Sequence, residues 1–223
     1  MILTYSGRSA PSAFKIAAET SDIQLNRGSR GDINWGRARA NTSLNPDISN
    51  VTNKRVMREL FAEHDVPMPR LYSDHVGLDT NYPIVGRPDQ HTKGRGFWKC
   101  HNVWDVQKAL RGTRKKRAAT HFMQFVEAPR EYRVHIFLGK SIRISEKIFD
   151  SDGDYTTGKP RHEVKHVRKA AKKALEAVGL DFGAVDILAN DTECWVLEVN
   201  AAPGLGGSMP KLYADTFRRW HES

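Results

Sequence analysis

One stretch near the C-terminal end, GAVDILANDTECWVLEVN, limits the fold most strongly, because its side chains alternate between apolar and polar. The apolar positions are Val185, Ile187, Leu197 and Val199, and the polar positions between them are Asp186, Glu198 and Asn200. Successive side chains of a strand point to opposite faces, so the alternation predicts two strands. A hairpin centred near Thr192 would pair Val185 with Val199, and it would pair Ile187 with Leu197. The same register sets Asp186 opposite Glu198, with Asn200 beside them.

These polar side chains have the chemistry of a metal site. Two carboxylates gathered on one face repel each other unless a positive charge lies between them. Oxygen ligands of this kind suit Mg²⁺, which takes one or two carboxylates and completes its octahedron with waters and substrate phosphates. Asp186, Glu198 and Asn200 are therefore candidate ligands of Mg²⁺, with Mn²⁺ as the alternative ion. The solvent-facing side of an edge hairpin shows the same pattern, and the alternation alone leaves both interpretations open.

From residue 53 onward, the sequence predicts a mixture of helices and strands. Helices are predicted from Asn53 to about Asp65, from Val103 to about Leu110, from about Val164 to Val178, and from about Pro210. Extended segments are predicted in YPIVGRP, HFMQFVE and EYRVHIFLGKSIRISEKIF, the last with a turn at Leu138-Gly139-Lys140. The first fifty residues are polar, with MILTY and AFKIAAE as short elements, and we expect no core of their own. Trp35 either anchors this segment to the rest of the chain or simply packs within it.

A basic residue and a glycine-rich loop follow one another in IVGRPDQHTKGRGF. Glycines let backbone N–H groups approach a phosphate, and flanking cations supply charge. The GxxxxGK[ST] spacing of a Walker A loop is absent. The candidate phosphate contacts are Arg87, Lys93, Gly94 and Gly96. An ordinary surface loop is the alternative interpretation.

Charged side chains alternate along EYRVHIF, where Glu131 and Arg133 share one face. A carboxylate can bind a ribose hydroxyl, and an arginine can bind a phosphate through two hydrogen bonds. The alternative is a surface ion pair, which contributes little energy. Arg143 and Lys147, in the strand that folds back alongside, either line the same cleft or are solvated.

Three histidines are candidate substrate contacts, although each is more typical of a surface or loop histidine: His91, His135 and His162.

Composition and charge exclude several classes of protein. The net charge of +9 indicates that the surface or a cleft attracts anions, which include nucleic acids, nucleotides and acidic substrates. Cys100 and Cys194 form no CxxC pair, so we expect neither a disulfide framework nor a zinc site, and a reducing cytosol is the default. The N-terminal residues lack the pattern of a signal peptide, and no window approaches the roughly 18 apolar residues of a membrane span.

The order of the motifs is more informative than any one of them. A basic strand residue, a glycine-rich loop, MQFVEAPREYRV, an amphipathic helix, DFGAVDIL and LEVNAAPGL follow one another between about Asn53 and Gly207. This order resembles the ATP-grasp superfamily, most closely the carboxylate–amine ligases that include ribosomal-protein glutamate ligases and D-alanine–D-alanine ligases. The resemblance implies an α+β fold in which two α/β lobes with antiparallel sheets clasp ATP. It also implies a shortened N-terminal segment at residues 1–50, a small lobe with the glycine-rich loop at 51–126, and a C-terminal lobe with the magnesium site at 127–223.

The resemblance further implies a role for each candidate residue. The implied ligands of Mg²⁺ ions that bridge the ATP phosphates are Asp186, Glu198 and Asn200. The implied hinge, whose backbone meets the adenine, is Gln124, Phe125 and Val126. Glu131 is similar in position to the acid that binds the ribose, and Arg133 to the arginine that steadies the transferred phosphoryl group. Arg143 and Lys147 are further candidates for catalysis, and DQHTKGRG looks like the mobile loop over the phosphates.

The sequence departs from the family pattern in two places. The family usually has lysine where this chain has Arg87, and arginine keeps the charge but changes its reach and geometry. The N-terminal substrate-binding domain, normally some hundred residues, is here about fifty residues. In this respect the chain is similar to the compact ATP-grasp proteins of phage genomes.

The family chemistry predicts an ATP-dependent carboxylate–amine ligase that forms an amide through an acyl phosphate. The expected partners are a small-molecule or peptide carboxylate and an amine, in the cytoplasm of a bacterium or of a phage-infected cell, with a homodimer left open. A nucleic-acid-directed enzyme is one alternative, for example one that attaches an amino acid to a modified base. The basic run RGTRKKR and the lysine face of the helix near 164–178 favour it. A non-catalytic ATP-binding protein is the other alternative. It is suggested by the arginine at position 87, where the family has lysine, and by the short N-terminal segment.

Overall fold

The computed structural model describes residues 1–72, 81–88, 96–128, 130–149, 155–162 and 164–223. Its helices there are α1 (Ala10–Ala17), α2 (Ser49–Thr52), α3 (Lys54–Glu63), α4 (Val103–Arg111), α5 (Lys165–Ala177) and α6 (Met209–His221). Its strands there are β1 (Ile2–Tyr5), β2 (Gln24–Asn26), β3 (Ile33–Trp35), β4 (Leu71–Tyr72), β5 (Ile84–Arg87), β6 (Trp98–Cys100), β7 (His121–Gln124), β8 (Arg130–Phe137), β9 (Lys140–Phe149), β10 (Tyr155–Gly158), β11 (Phe182–Ala189) and β12 (Cys194–Asn200). The four predicted helices are confirmed as α3 to α6. Across these ranges, no helix has the length and apolar character that crossing a membrane requires.

The N-terminal segment forms a parallel sheet of three strands in the order β2-β1-β3. MILTY and AFKIAAE are confirmed as β1 and α1, and the structure adds two strands of three residues each. The apolar side chains of this segment share one core with residues of the C-terminal half. At its centre, the buried Trp35 stacks on Phe182 with ring centroids 5.7 Å apart, and its Nε1 donates to Ser12 Oγ at 2.8 Å. Trp35 therefore anchors the segment to the remainder of the chain.

The largest sheet has five antiparallel strands in the order β10-β9-β8-β11-β12. Helix α5 covers one face, where its buried residues meet alternate side chains of β8: Tyr132, Val134 and Ile136. The polar side chains of β8 consequently lie on the opposite face. The turn between β8 and β9 is made by Leu138 and Gly139, which both have positive φ angles of 45° and 72°.

The β11–β12 hairpin contains a bulge that the alternation does not predict. The predicted register holds through the two carboxylates. The prediction that Ile187 faces Leu197 is wrong, because the register shifts there and sets Ile187 opposite Val196. Val196 and Val199 are three residues apart, and only an extra residue in the strand lets both of them face the core, where both are buried.

A further sheet has four antiparallel strands in the order β4-β7-β5-β6, and we call it the small sheet. Helix α4 packs on one of its faces through Val106 and Ala109. Gly86 lets Phe122 and Ala119 pack closely on β5, since a Cβ atom there would lie 2.8 Å from Phe122 and 2.9 Å from Ala119. Helix α3 belongs to the core of the five-stranded sheet. The lobe limits at residues 50 and 126 stay predictions.

Candidate active site

Three polar side chains meet on the face of the five-stranded sheet that α5 leaves uncovered. Asp186 on β11 lies opposite Glu198 on β12, as the alternation predicts. Asn200 bridges them, since its Nδ2 lies 3.0 Å from Glu198 Oε1 and 3.4 Å from Asp186 Oδ2. Turning the amide by 180° would place its oxygen in the same position. Within the described ranges no three His, Cys, Asp or Glu side chains gather as a metal site, so this set consists of two carboxylates and one amide.

Each carboxylate of the set is paired with a cation. Arg133 on β8 binds Asp186 through two hydrogen bonds, from Nε and from a terminal nitrogen, both at 2.8 Å. Lys54 donates from Nζ to Glu198 Oε2 at 2.7 Å. Asp186 is only 4% exposed, and a buried charge requires a partner of this kind. The two cations therefore balance carboxylates that would otherwise repel each other.

Lys54 was missed by sequence reasoning. Asn53 caps α3, because its side chain accepts from the backbone N–H groups of Arg55 and Val56 at 3.0 and 3.5 Å. The cap fixes Lys54 as the first residue of the helix, next to β12, where Met57 Sδ accepts from the Val199 N–H at 3.4 Å. The capping asparagine is a signal in the sequence for the start of the helix. The sequence contains no signal for its contact with β12, which is 144 residues away.

A second group of charges lies beside the first. Glu131 on β8 forms an ion pair with Lys147 on β9, its direct neighbour in the register. Arg87 ends β5 of the small sheet, and its guanidinium lies 4.8 Å from the centre of the Phe97 ring. Burial lowers the pKa of Arg87, and the negative charges of Glu198 and Glu131 oppose that shift. The carboxylates of Glu198 and Glu131 therefore lie near enough to Arg87 to act on its charge.

Comparison with known proteins identifies the architecture. No family model matches the chain. A D-alanine–D-alanine ligase from Bacillus anthracis in complex with ATP superposes with a TM-score of 0.69 at 13% identity, over 97% of this chain and 92% of that chain. The ATP-grasp ligase PsnB in complex with a minimal precursor superposes with a TM-score of 0.66 at 14% identity, over 98% of both chains. This protein has the ATP-grasp fold.

Curated protein sequences also match this chain with the ATP-grasp fold. A probable alpha-L-glutamate ligase of Parasynechococcus marenigrum is 24% identical over 176 residues, which are 72% of this chain and 38% of that protein. A D-alanine–D-alanine ligase of Fusobacterium nucleatum is 23% identical over 140 residues, which are 56% of this chain and 47% of that protein. The chain thus spans less than half the length of these curated relatives. The predicted fold class is confirmed, and the roles of individual residues stay predictions.

The segment predicted as the adenine hinge connects the two sheets of the ATP-grasp fold. Gln124 ends β7 and donates from its backbone N–H to Arg70 O at 2.8 Å. The next N–H group, that of Phe125, donates to Pro83 O at 3.4 Å. Lys99 Nζ lies 3.9 Å from the centre of the Phe125 ring. Gln124, Phe125 and Val126 consequently lie where the chain passes from the small sheet to the five-stranded one.

The remaining candidates are less closely assembled. Lys93, Gly94 and most of the loop DQHTKGRG lie outside the described residues. Gly96 has a φ angle of 80°, and a Cβ atom there would lie 2.8 Å from the Pro88 ring. Arg143 is exposed on β9 directly opposite His135, and it also lines a groove with Lys159 and Arg168. Its predicted part in catalysis stays a prediction.

His135 departs from the expectation of a surface histidine. It is 3% exposed, because α6 covers this end of the polar face, and its Nδ1 lies 2.9 Å from the Tyr213 hydroxyl. Burial lowers the pKa of His135 to about 3, and the positive charges of Arg133 and Arg143 act in the same direction. The imidazole is therefore neutral in the folded protein. His162 is exposed in a loop, and His91 lies outside the described residues.

The buried histidine predicts a loss of stability in mild acid. An unfolded histidine has a pKa near 6.5, so below that pH the unfolded chain binds a proton that folded His135 does not bind. Stability is then lost as the pH falls from about 6.5 toward 3. Between pH 7 and pH 5 we expect the free energy of unfolding of the wild type to fall by about 2 kcal/mol more than that of His135→Gln. Urea unfolding at both pH values measures the difference.

A variant of an exposed histidine is the control for this experiment. His64→Gln removes a histidine from the exposed end of α3 and should retain the wild-type pH dependence. Equal pH dependence in the wild type and in His135→Gln would contradict the assignment of a buried neutral imidazole.

Proposed function

We propose that this protein is an ATP-dependent carboxylate–amine ligase that binds Mg-ATP between its two sheets. The observation that carries the proposal is the set of Asp186, Glu198 and Asn200, gathered on one face with a cation on each carboxylate. Arg87 ends a strand of the other sheet, and its charge interacts with Glu198 of this set and with Glu131. The relatives named above, which are glutamate ligases and D-alanine–D-alanine ligases, support the same class of reaction.

The three polar side chains fit Mg²⁺. Their carboxylate and amide oxygens are the hard ligands that this ion prefers, and they are few enough to leave room for phosphate oxygens and waters. When bound, Mg²⁺ supplies positive charge at the ATP phosphates. The Arg133 guanidinium and the Lys54 ammonium, which hold Asp186 and Glu198, then bind phosphate oxygens as these enter the cleft. Mn²⁺ fits the same ligands.

The proposed reaction has two steps. In the first, an oxygen of the substrate carboxylate attacks the γ-phosphorus of ATP, the bond to the β–γ bridging oxygen breaks, and ADP and an acyl phosphate form. In the second, an amine attacks the acyl carbon, phosphate leaves, and the nitrogen loses a proton to give the amide. Both steps concentrate negative charge, which fixed cations stabilise when they are already in place. The residues assigned to this task are Arg87, Lys93, Arg133, Arg143 and Lys147.

Other residues hold the nucleotide in the proposed complex. The backbone of Gln124–Val126 contacts the adenine, and Glu131 binds the ribose hydroxyls, for which it exchanges part of its contact with Lys147. Gly94 and Gly96 let the loop that carries them approach the phosphates. A closed cleft excludes the water that would otherwise hydrolyse the acyl phosphate. A small molecule or a peptide supplies the carboxylate and the amine.

The non-catalytic alternative is less well supported. Two carboxylates close to each other cost free energy unless something positive lies beside them. Here the chain keeps both carboxylates and provides Lys54 and Arg133 to balance them. A site that had lost its activity would tend to lose these costly like charges.

Mass spectrometry of a reacted cell extract tests the proposal. The protein is incubated with γ-labelled ATP, Mg²⁺ and extract, and in parallel with a panel of amino acids and peptides. We expect ADP and labelled phosphate in equal amounts, together with a product that has gained an amide. The proposal is wrong if neither incubation produces ADP above background although the protein binds Mg-ATP.

A further inference from the structure

The outer face of α4 carries an exposed tryptophan that the core does not use. Trp104 is 78% exposed, whereas Val106 and Ala109 of the same helix are buried against the small sheet. Lys108 and Arg111 follow Trp104 at spacings of four and seven residues, which places all three on one stripe of the helix. A tryptophan that is this exposed contributes little to the packing of the fold.

Helix α4 and the loop that follows it are strongly positive. Between residues 101 and 117 the sequence has six lysines and arginines and one acid, Asp105, in a chain whose net charge is +9. The Asp105 carboxylate accepts from the backbone N–H of His101 at 2.9 Å. Four exposed cations form no ion pair with any residue in the described part of the chain: Lys108, Arg111, Arg114 and Lys115. We call these four and Trp104 together the Trp104 surface.

The Trp104 surface lies on the far side of the small sheet from the cleft. Trp98 and Cys100 of β6 point toward α4 and are buried with it, whereas Lys99 between them points the other way, onto the Phe125 ring. Arg87 shares the side of Lys99, because Val85 pairs with Lys99 and lies two residues before Arg87. A ligand on α4 therefore leaves the nucleotide cleft open.

We propose that the Trp104 surface binds single-stranded nucleic acid, with its cations on the phosphates and the Trp104 indole stacked on an unpaired base. Aromatic side chains among lysines and arginines are the common arrangement for binding single strands without sequence preference. An acidic protein is disfavoured, because stable protein interfaces bury about 800 Å² per partner around an apolar centre. Here only Trp104 and the half-exposed Leu110 are apolar. A duplex is disfavoured because its bases are already stacked on one another.

Fluorescence anisotropy with fluorescein-labelled dT12 tests this proposal without any turnover, so its outcome is independent of the ligase reaction. We expect binding that weakens with salt, with a slope of log K against log salt of roughly −3 for four phosphate contacts. Trp104→Ala should weaken binding about 5- to 150-fold and leave the slope unchanged. Lys108→Gln/Arg111→Gln should make the slope shallower by about 1.4.

Matched variants on another helix are the control. Lys169 and Lys172 are exposed on α5, so Lys169→Gln/Lys172→Gln changes the net charge equally and should bind dT12 like the wild type. Thermal unfolding checks that every variant is folded, and Trp104→Phe, which keeps an aromatic ring, should retain part of the affinity.

Three results would overturn the proposal. The first is equal affinity of the wild type and Trp104→Ala for dT12. The second is equally tight binding of a 12-base-pair duplex with no dependence on Trp104, which would show a purely electrostatic surface. The third is Trp104-dependent binding of a labelled poly-glutamate peptide without binding of dT12, which would assign the surface to an acidic protein.

Discussion

Glu198→Gln is expected to abolish ATP-dependent turnover while the protein remains folded. The substitution keeps the shape of the side chain but removes one of the two negative charges proposed to hold Mg²⁺. It also leaves the Lys54 ammonium without its carboxylate. The loss should be about 10³-fold in turnover, at the upper end of the 10²- to 10³-fold cost of removing one fixed electrostatic contact at a reacting centre. ADP release with the substrate found in the extract experiment measures the effect.

Glu193→Gln is the matched control for this prediction. Glu193 is an exposed carboxylate at the start of the same hairpin strand, so the change in charge is the same but lies away from the cleft. It should turn over ATP like the wild type. Calorimetry of ATP binding with and without Mg²⁺ gives a second readout, in which Glu198→Gln should lose most of the Mg²⁺ dependence. Wild-type turnover by Glu198→Gln would rule out the proposed metal site.

Trp35→Ala is expected to destabilise the whole protein and not only its N-terminal segment. The change removes a large side chain from the core that β1, β3 and α1 share with Phe182 and α6. Truncation of a buried aromatic residue costs about 3–5 kcal/mol, which corresponds to a fall in Tm of roughly 10 °C for a chain of this size. Because the core is shared, far-UV circular dichroism and the fluorescence of the four remaining tryptophans should report one common transition.

Trp104→Ala is the control for this second prediction. It removes the same kind of side chain from an exposed position and should change the free energy of unfolding by less than about 0.5 kcal/mol. Trp35→Phe should recover part of the loss, because a ring remains to pack against Phe182. If Trp35→Ala instead produced an early transition of small amplitude, the N-terminal segment would be an independent unit and the shared core would be incorrect.

The sequence predicted the features that depend on short-range patterns. Alternation along EYRVHIF and LEVN determines which side chains share a face, so Glu131 and Arg133 were placed correctly relative to each other, as were the two carboxylates. The order of the motifs led to the prediction of the ATP-grasp fold. The strands β2 and β3 were missed because segments of three residues are too short to show alternation, and neighbours supply their hydrogen bonds.

The missed features depend on contacts between distant parts of the chain. Lys54 reaches Glu198 only because α3 packs against β12. His135 lies on the polar face of β8 by alternation, but that face is covered by α6 at one end and open at the other. The bulge after Asp186 depends on which valines the core accepts. Periodicity describes the faces of a single strand, whereas these three features depend on what lies opposite each face.

The two connections between the sheets also separate the cations near Glu198 into two groups. The chain enters the small sheet beside Arg70 and leaves it beside Gln124, and a hydrogen bond of 2.8 Å ties these two crossings together. The two crossings therefore lie side by side. Lys54 is held with Glu198 by the core of the five-stranded sheet, because α3 packs in that core. Arg87 follows Ile84 and Val85 on β5, and Ile84 belongs to the separate core of the small sheet. The two cations near Glu198 therefore depend on different cores, so a substitution that loosens one core should displace one cation and leave the other in place.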